Sequence, residues 1–279
     1  MLTFFTIMLV LASLSVHELG HAWAMSERNI PIKRISLLGM PWPNITWRLP
    51  IRLKRFPDAE WVLHPLIIGA YVDTVEEKVL NRIPPRDRIY IAAMGPIASI
   101  VAGIILIGFA VTAIRIDAAN AITVRALYSM GISIASLTVL WFLRDLIARF
   151  ICPLVGVAMI GLIVLAIIKL GIWNSFVGPI GLVDMVHTYA GSETDVHKRF
   201  VAGGVEYFAI WNTFYFAGTL SIVIGLSNLL PLSPLDGGHI FVAHMSAKWR
   251  TRYEYVTGCA LAALIAVAVT SDILRIMNM

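Results

Sequence analysis

The chain has 279 residues, 58% hydrophobic and 14% charged, with a formal net charge of +5. Soluble domains carry about 25% charged residues, so this composition excludes an ordinary soluble protein and indicates a polytopic membrane protein. The positive balance does not point to nucleic acid, because the basic residues lie in loops beside apolar spans, where orientation rules place them.

The first apolar run covers about Leu2 to Met25 and is long enough to cross a bilayer. It has no basic leader and no obvious small-residue cleavage site, so it reads as a retained span rather than a signal peptide. It carries His17-Glu18-Leu19-Gly20-His21. On a helix, residues four apart leave the same face, so His17 and His21 can grip one metal ion. Glu18 can then reach a water on that metal without being a ligand, as in the His-Glu-x-x-His pattern of metalloproteases. The competing readings are a chance match and a polar cluster that packs helices together. Ionisable groups in a span cost about 2.5–3.5 kcal/mol each on insertion scales, which favours a function for three together.

The stretch from Glu27 to Arg88 is polar and rich in proline. Within it, Ile45–Leu49 and Ile51–Lys54 alternate with the period of strands. The apolar run Trp61–Val72 is too short to cross and suits a re-entrant or interfacial hairpin. Further spans are expected at about 89–114, 126–143, 150–172, 205–230 and 255–273. Val177-Gly178-Pro179-Ile180-Gly181 is turn-rich punctuation, and residues 182–204 suit an amphipathic surface helix and loop. Arg144 and Asp145 read as a solvated turn pair. Trp42, Trp47, Trp61, Trp173 and Trp249 read as interface anchors. Cys152 and Cys259 each sit in an apolar run and read as packing residues. The fold class expected is therefore all-α and polytopic, with about six transmembrane helices and a small membrane-associated β element in the first loop. With the N-terminus outside, most of the 22 Lys and Arg fall on the cytoplasmic side. The ends of the first and fifth spans then share that side.

A catalytic zinc usually has three protein ligands and an open position. The fifth span ends in Asn228-Leu229-Leu230-Pro231-Leu232-Ser233-Pro234-Leu235-Asp236-Gly237-Gly238-His239. Asp236 is a carboxylate at matching depth and a candidate third ligand; the alternative is an Asp-Gly turn at the interface. Pro231 and Pro234 interrupt the helix and free backbone groups there. Asn228 can donate to a carbonyl or an oxyanion. His239 is a candidate outer partner of the ligands. His64, His187, His197 and His244 read as loop or interfacial residues.

These motifs together resemble the site-2 protease family of intramembrane zinc metalloproteases, in a form without a PDZ module. The matching elements are His17-Glu18-x-x-His21 and Asn228-x-x-Pro231-x-x-x-Leu235-Asp236-Gly237, with support from Gly95-Pro96, Gly178-Pro179-x-Gly181 and Gly69-Ala70-Tyr71-Val72. The resemblance covers about residues 1–114 and 174–250. It implies one Zn2+ per chain held by His17, His21 and Asp236, with Glu18 as catalytic base. It implies that Asn228 holds substrate or stabilises the transition state, and that the first-loop β element guides substrate. The implied substrates are single-span membrane proteins, hydrolysed in or near their transmembrane segments. The implied location is a bacterial or archaeal cell membrane, with the active site toward the cytoplasm.

Two departures stand out. The family's Gly-Gly-Tyr is Gly69-Ala70-Tyr71 here, and the interval that often holds PDZ modules holds two hydrophobic spans. The expected organisation is one membrane-embedded domain over 1–279, with core segments 1–114 and 174–279. A hydrophobic helical hairpin at 121–173 is inserted between them; it either takes the substrate-filtering place of a PDZ gate or, the favoured reading, only packs against the core. An even number of inserted spans preserves core orientation. Two rival readings are a transporter or ion pathway using the His/Glu/Asp cluster, and a catalytically silent receptor. The first lacks the internal repeat expected of many transporters. The second leaves a complete ligand and base set unexplained.

Overall fold

Helix α1 (Leu2–Glu27) opens the fold in the computed structural model, which describes residues 2–39, 45–64, 70–74, 83–116, 143–170 and 205–277. Two of its serines bond back into the helix, Ser13 and Ser15 donating to the carbonyls of Leu9 and Leu11, while Ser26 donates to the Arg55 carbonyl of the first loop. The helix stops at Asn29, whose φ of 55° lies in the left-handed region. Ile30 N–H then donates to the Met25 carbonyl at 2.9 Å and Asn29 N–H to that of Ser26 at 3.2 Å, a Schellman closure that caps free carbonyls.

The first loop folds into a four-stranded sheet. Its strands are β1 (Ile32–Leu38), β2 (Trp47–Leu49), β3 (Glu60–Leu63) and β4 (Tyr71–Thr74), in spatial order β2-β3-β1-β4. β1 runs parallel to β3 and antiparallel to β4, and β2 pairs antiparallel with β3. The expected hairpin at Trp61–Val72 thus takes another form. Its ends become β3 and β4, each paired to β1 rather than to one another, because β1 offers both edges between them. The expected strand at 45–54 is present as β2, with Leu53 only bridging Phe56. Trp61 is not an interface anchor: it is buried beside Phe56, with ring centroids 6.0 Å apart. Trp47 and Trp249 are exposed. His64 is also buried, bonding the Ile45 carbonyl at 3.0 Å and the Tyr71 hydroxyl at 3.0 Å, so it fastens the sheet instead of facing an interface. The sheet is tied to α1 where Ser15 also donates to the Leu37 carbonyl.

Helix α2 (Pro85–Ile116) begins with proline at its first position, where the missing N–H costs nothing. After residues 143–146, already helical, a π-helical turn at Ile147–Ile151 leads into α3 (Cys152–Leu170). Helix α4 (Val205–Asn228), the short α5 (Asp236–Val242) and α6 (Ala247–Met277) complete the order. α2 packs between α1 and α4. It lies close against α4 at Gly103 and Gly218, where a Cβ on either would meet the other's backbone carbonyl. Small residues allow this close packing where lipid supplies no hydrophobic drive between helices.

Four helical stretches among the described residues are long and apolar enough to cross a membrane: Ile7–Glu27, Pro85–Ala110, Leu143–Lys169 and Ala247–Leu274. They take the places of the first, second, fourth and sixth expected spans, and α4 occupies the fifth. The third expected span, 126–143, is outside the described residues except for its end, and the segments 177–181 and 182–204 are wholly outside them. The outward faces of α3 and α6 are apolar and exposed, as at Leu154, Ile168 and Ile265, the pattern of a lipid-facing surface. Cys152 is buried as expected, whereas Cys259 is exposed on α6, a residue facing outward rather than a packing one. Arg144 and Asp145 do not form a solvated turn pair. They lie on the helical segment before α3, where Arg144 reaches Glu27 at 3.4 Å and Asp145 meets Arg28, Arg86 and Arg149 at 3.5, 3.6 and 3.0 Å. Charges at a span end pair with those of neighbouring helices instead of with water alone.

Candidate metal centre and active site

The helical repeat places His17 and His21 on one face of α1, with ring centroids 5.0 Å apart and both side chains buried. Asp236 reaches them from a distant part of the chain. Helix α4 ends at Asn228, Pro231 and Pro234 prevent its continuation, and α5 restarts with Asp236 in its first turn. The result is a cluster in which His17 Nε2 lies 3.0 Å from Asp236 Oδ2. His21 Nε2 lies 3.3 Å from Asp236 Oδ1 and 3.3 Å from His17 Nε2. Among the described residues these three form the one group of His, Cys, Asp and Glu with donor atoms this close together.

The spacing suits a small tetrahedral cation. Zinc binds nitrogen and oxygen at about 2.0–2.2 Å, so tetrahedral donors lie about 3.3–3.5 Å apart. The tautomers suit it as well. His21 Nδ1 lies 2.8 Å from the Ile91 carbonyl, which can only accept, so Nδ1 carries the proton and Nε2 presents its lone pair. His17 Nδ1 lies 2.9 Å from Ser99 Oγ. The backbone leaves room: a Cβ on Gly95 of α2 would overlap His21 Nε2 and crowd His17 Nε2. With both imidazoles neutral, the carboxylates of Glu18 and Asp236 would share a partly buried pocket, and a divalent cation offsets that charge.

Glu18 lines the same cavity, which measures about 670 Å³ and includes Ala70, Val72, Asn228 and His239 in its wall. Its carboxylate accepts a hydrogen bond from the Val72 backbone N–H on β4. Asn228 Nδ2 lies 3.4 Å from His17 Nε2, so its amide is at the centre rather than beside it. His239 is one turn beyond Asp236 on the cavity wall. All five residues expected from sequence as ligands or catalytic groups therefore line one cavity. The sequence reading missed three groups: the Ile91 carbonyl, the Ser99 hydroxyl and the Val72 amide. Ser99 alone left a trace, as a hydroxyl in an apolar run four residues after Gly95. His187 and His197 lie outside the described residues, and His244 is exposed.

Comparison with curated proteins finds no match. The model of Peptidase family M50 matches residues 5–270. That family consists of intramembrane zinc metalloproteases, and the transporter reading finds no support. The apolar helices fit an integral membrane protein. This chain belongs to Peptidase family M50, the site-2 protease family.

Proposed function

We propose that the chain is a site-2-type zinc endopeptidase that cleaves single-span membrane proteins in or near their transmembrane segments. His17, His21 and Asp236 would hold one zinc per chain. The observation that carries this reading is the convergence of three donors from α1 and α5 within 3.0–3.3 Å. A zinc bound there would supply a Lewis acid and lower the pKa of its water toward about 7.

Glu18 acts as general base: a carboxylate oxygen takes the proton of the attacking water and later passes it to the leaving amine nitrogen. The Val72 N–H holds that carboxylate in the cavity. Asn228 donates its amide to the scissile carbonyl oxygen as charge develops there. The two imidazoles are buried between α1 and α2, which limits the water that reaches them.

A spanning helix hides its carbonyls in its own hydrogen bonds, so substrate must unwind before cleavage. The strand that can receive it is β4, an edge of the sheet that also lines the cavity. The docking edge is therefore Tyr71–Thr74 and not β2, which carries the period-two pattern and lies at the opposite edge of the sheet. Main-chain pairing with β4 would fix the extended segment beside Glu18.

The excess of basic residues in the first loop supports an active site on the cytoplasmic side; the bacterial or archaeal cell membrane is the setting that the family resemblance implies. The core segments 1–114 and 174–279 would carry the chemistry, and the hairpin 121–173 would pack beside them. Only its second helix falls among the described residues.

The test is a Glu18→Gln variant in membranes containing a single-span substrate. It should keep wild-type zinc content, lose cleavage by at least about 100-fold, and retain uncleaved substrate. Cleavage at the wild-type rate would refute the assignment of the base.

A further inference from the structure

Helix α2 contacts the two imidazoles through one stripe. Ile91, Gly95 and Ser99 are four residues apart, so they stack on one face of α2. His17 and His21 have the same spacing on α1. The Ile91 carbonyl meets His21 Nδ1 at 2.8 Å, the Ser99 hydroxyl meets His17 Nδ1 at 2.9 Å, and Gly95 between them gives the rings room. Ser99 is fully buried. Its own carbonyl accepts from Ser221 Oγ of α4 at 2.8 Å, and Ser221 is also fully buried. The chain Ser221–Ser99–His17 therefore joins the helix that carries Asn228 to the helix that carries the metal-facing rings.

We infer that Ser99 is a positioning residue for His17, accepting the Nδ1 proton so that Nε2 faces the metal, and that Ser221 holds the Ser99 turn in place from α4. This rests on the zinc reading above. An unassisted imidazole can rotate about its side-chain bonds and present either nitrogen. The Ile91 carbonyl removes that freedom for His21 without any side chain, and no equivalent backbone acceptor meets His17 among the described contacts. His17 depends on a hydroxyl, so it is the ligand whose orientation a single small substitution can release. Partners of this kind typically tune metal affinity by about 10–100-fold.

The test uses full-length protein in detergent, with zinc affinity measured by chelator competition. Cobalt replacement gives a spectroscopic readout of the ligand field. Thermal unfolding is followed with and without zinc. Ser99→Ala should weaken zinc binding by about 10–100-fold, shift the cobalt absorption bands, and shrink the zinc-induced rise in unfolding temperature. Unfolding of the metal-free protein should stay at the wild-type temperature. Ser221→Ala should move the same readouts in the same direction by less. His17→Ala is the control for the underlying reading. If it abolishes tight zinc binding while Ser99→Ala matches wild type, the positioning role is wrong and the zinc site stands. If His17→Ala itself binds zinc like wild type, both are wrong. If Ser99→Ala lowers the metal-free unfolding temperature and leaves zinc affinity unchanged, Ser99 only packs the helices, and the inference is overturned.

Discussion

Gly95 faces the two imidazoles through backbone alone. Alanine there would put a methyl group against His21 Nε2 and close to His17 Nε2, and the rings would have to move. Gly95→Ala should weaken zinc binding at least about tenfold, roughly 1.4 kcal/mol, by chelator competition; unchanged affinity would mean the rings have slack that the packing does not suggest. The placement of the candidate residues was legible in sequence where it depends on local spacing. His17, Glu18 and His21 follow from the period of one helix. Asp236 was legible for a second reason, because a carboxylate beside prolines at span depth needs a partner. Ser99 and the Val72 amide act through neighbours far along the chain. Their roles exist only once α2 and β4 are docked on α1, and no spacing rule reports that.

The elements show how the centre is held. At the end of α1, Glu27 accepts from the Tyr90 hydroxyl at 2.5 Å and from Trp23 Nε1 at 3.1 Å, and faces Arg55 and Arg144 at 3.4 Å each. It thereby joins α1 to the sheet loop, to α2 and to the segment entering α3. Its side chain is only 16% exposed, so screening by water is limited. Glu27→Ala leaves those donors short of an acceptor and should lower stability by about 1–3 kcal/mol, measured by denaturant unfolding in detergent; a change below about 0.5 kcal/mol would show the cluster to be solvated after all. Arg144 and Asp145 looked like turn residues because charges at a span end usually meet water. Their part in this cluster arises from the approach of α3 to the ends of α1 and α2. The sheet was legible only in part for a similar reason. β2 carries a period-two signal, whereas β1 is central and its burial does not alternate cleanly. β4 has its own prediction. Val72→Pro removes the N–H that Glu18 accepts and should abolish cleavage while zinc is retained, whereas Arg48→Pro on the far edge β2 should spare it. Equal loss in both variants, assayed in membranes, would argue against β4 as the docking edge.

At the scale of the whole molecule, hydropathy gave the membrane class and the order of the helices, because span length and apolar content are set by the bilayer itself. It did not give their packing. The approach of α2 to α4 through Gly103 and Gly218, and the return of α5 to α1, are tertiary facts that a one-dimensional profile does not contain. They bring residue 236 to residue 17 and so assemble a group of three donors that could hold a metal ion. The family M50 match runs over residues 5–270 and so takes in both residue 17 and residue 236. X-ray absorption at the zinc edge of the purified full-length protein tests the central claim most directly. The account predicts near-stoichiometric zinc with two imidazole nitrogens and one carboxylate oxygen at about 2.0–2.2 Å, and loss of the imidazole signal in a His17→Ala/His21→Ala variant. A sulfur shell, a site without imidazole, or a spectrum unchanged in that variant would contradict it.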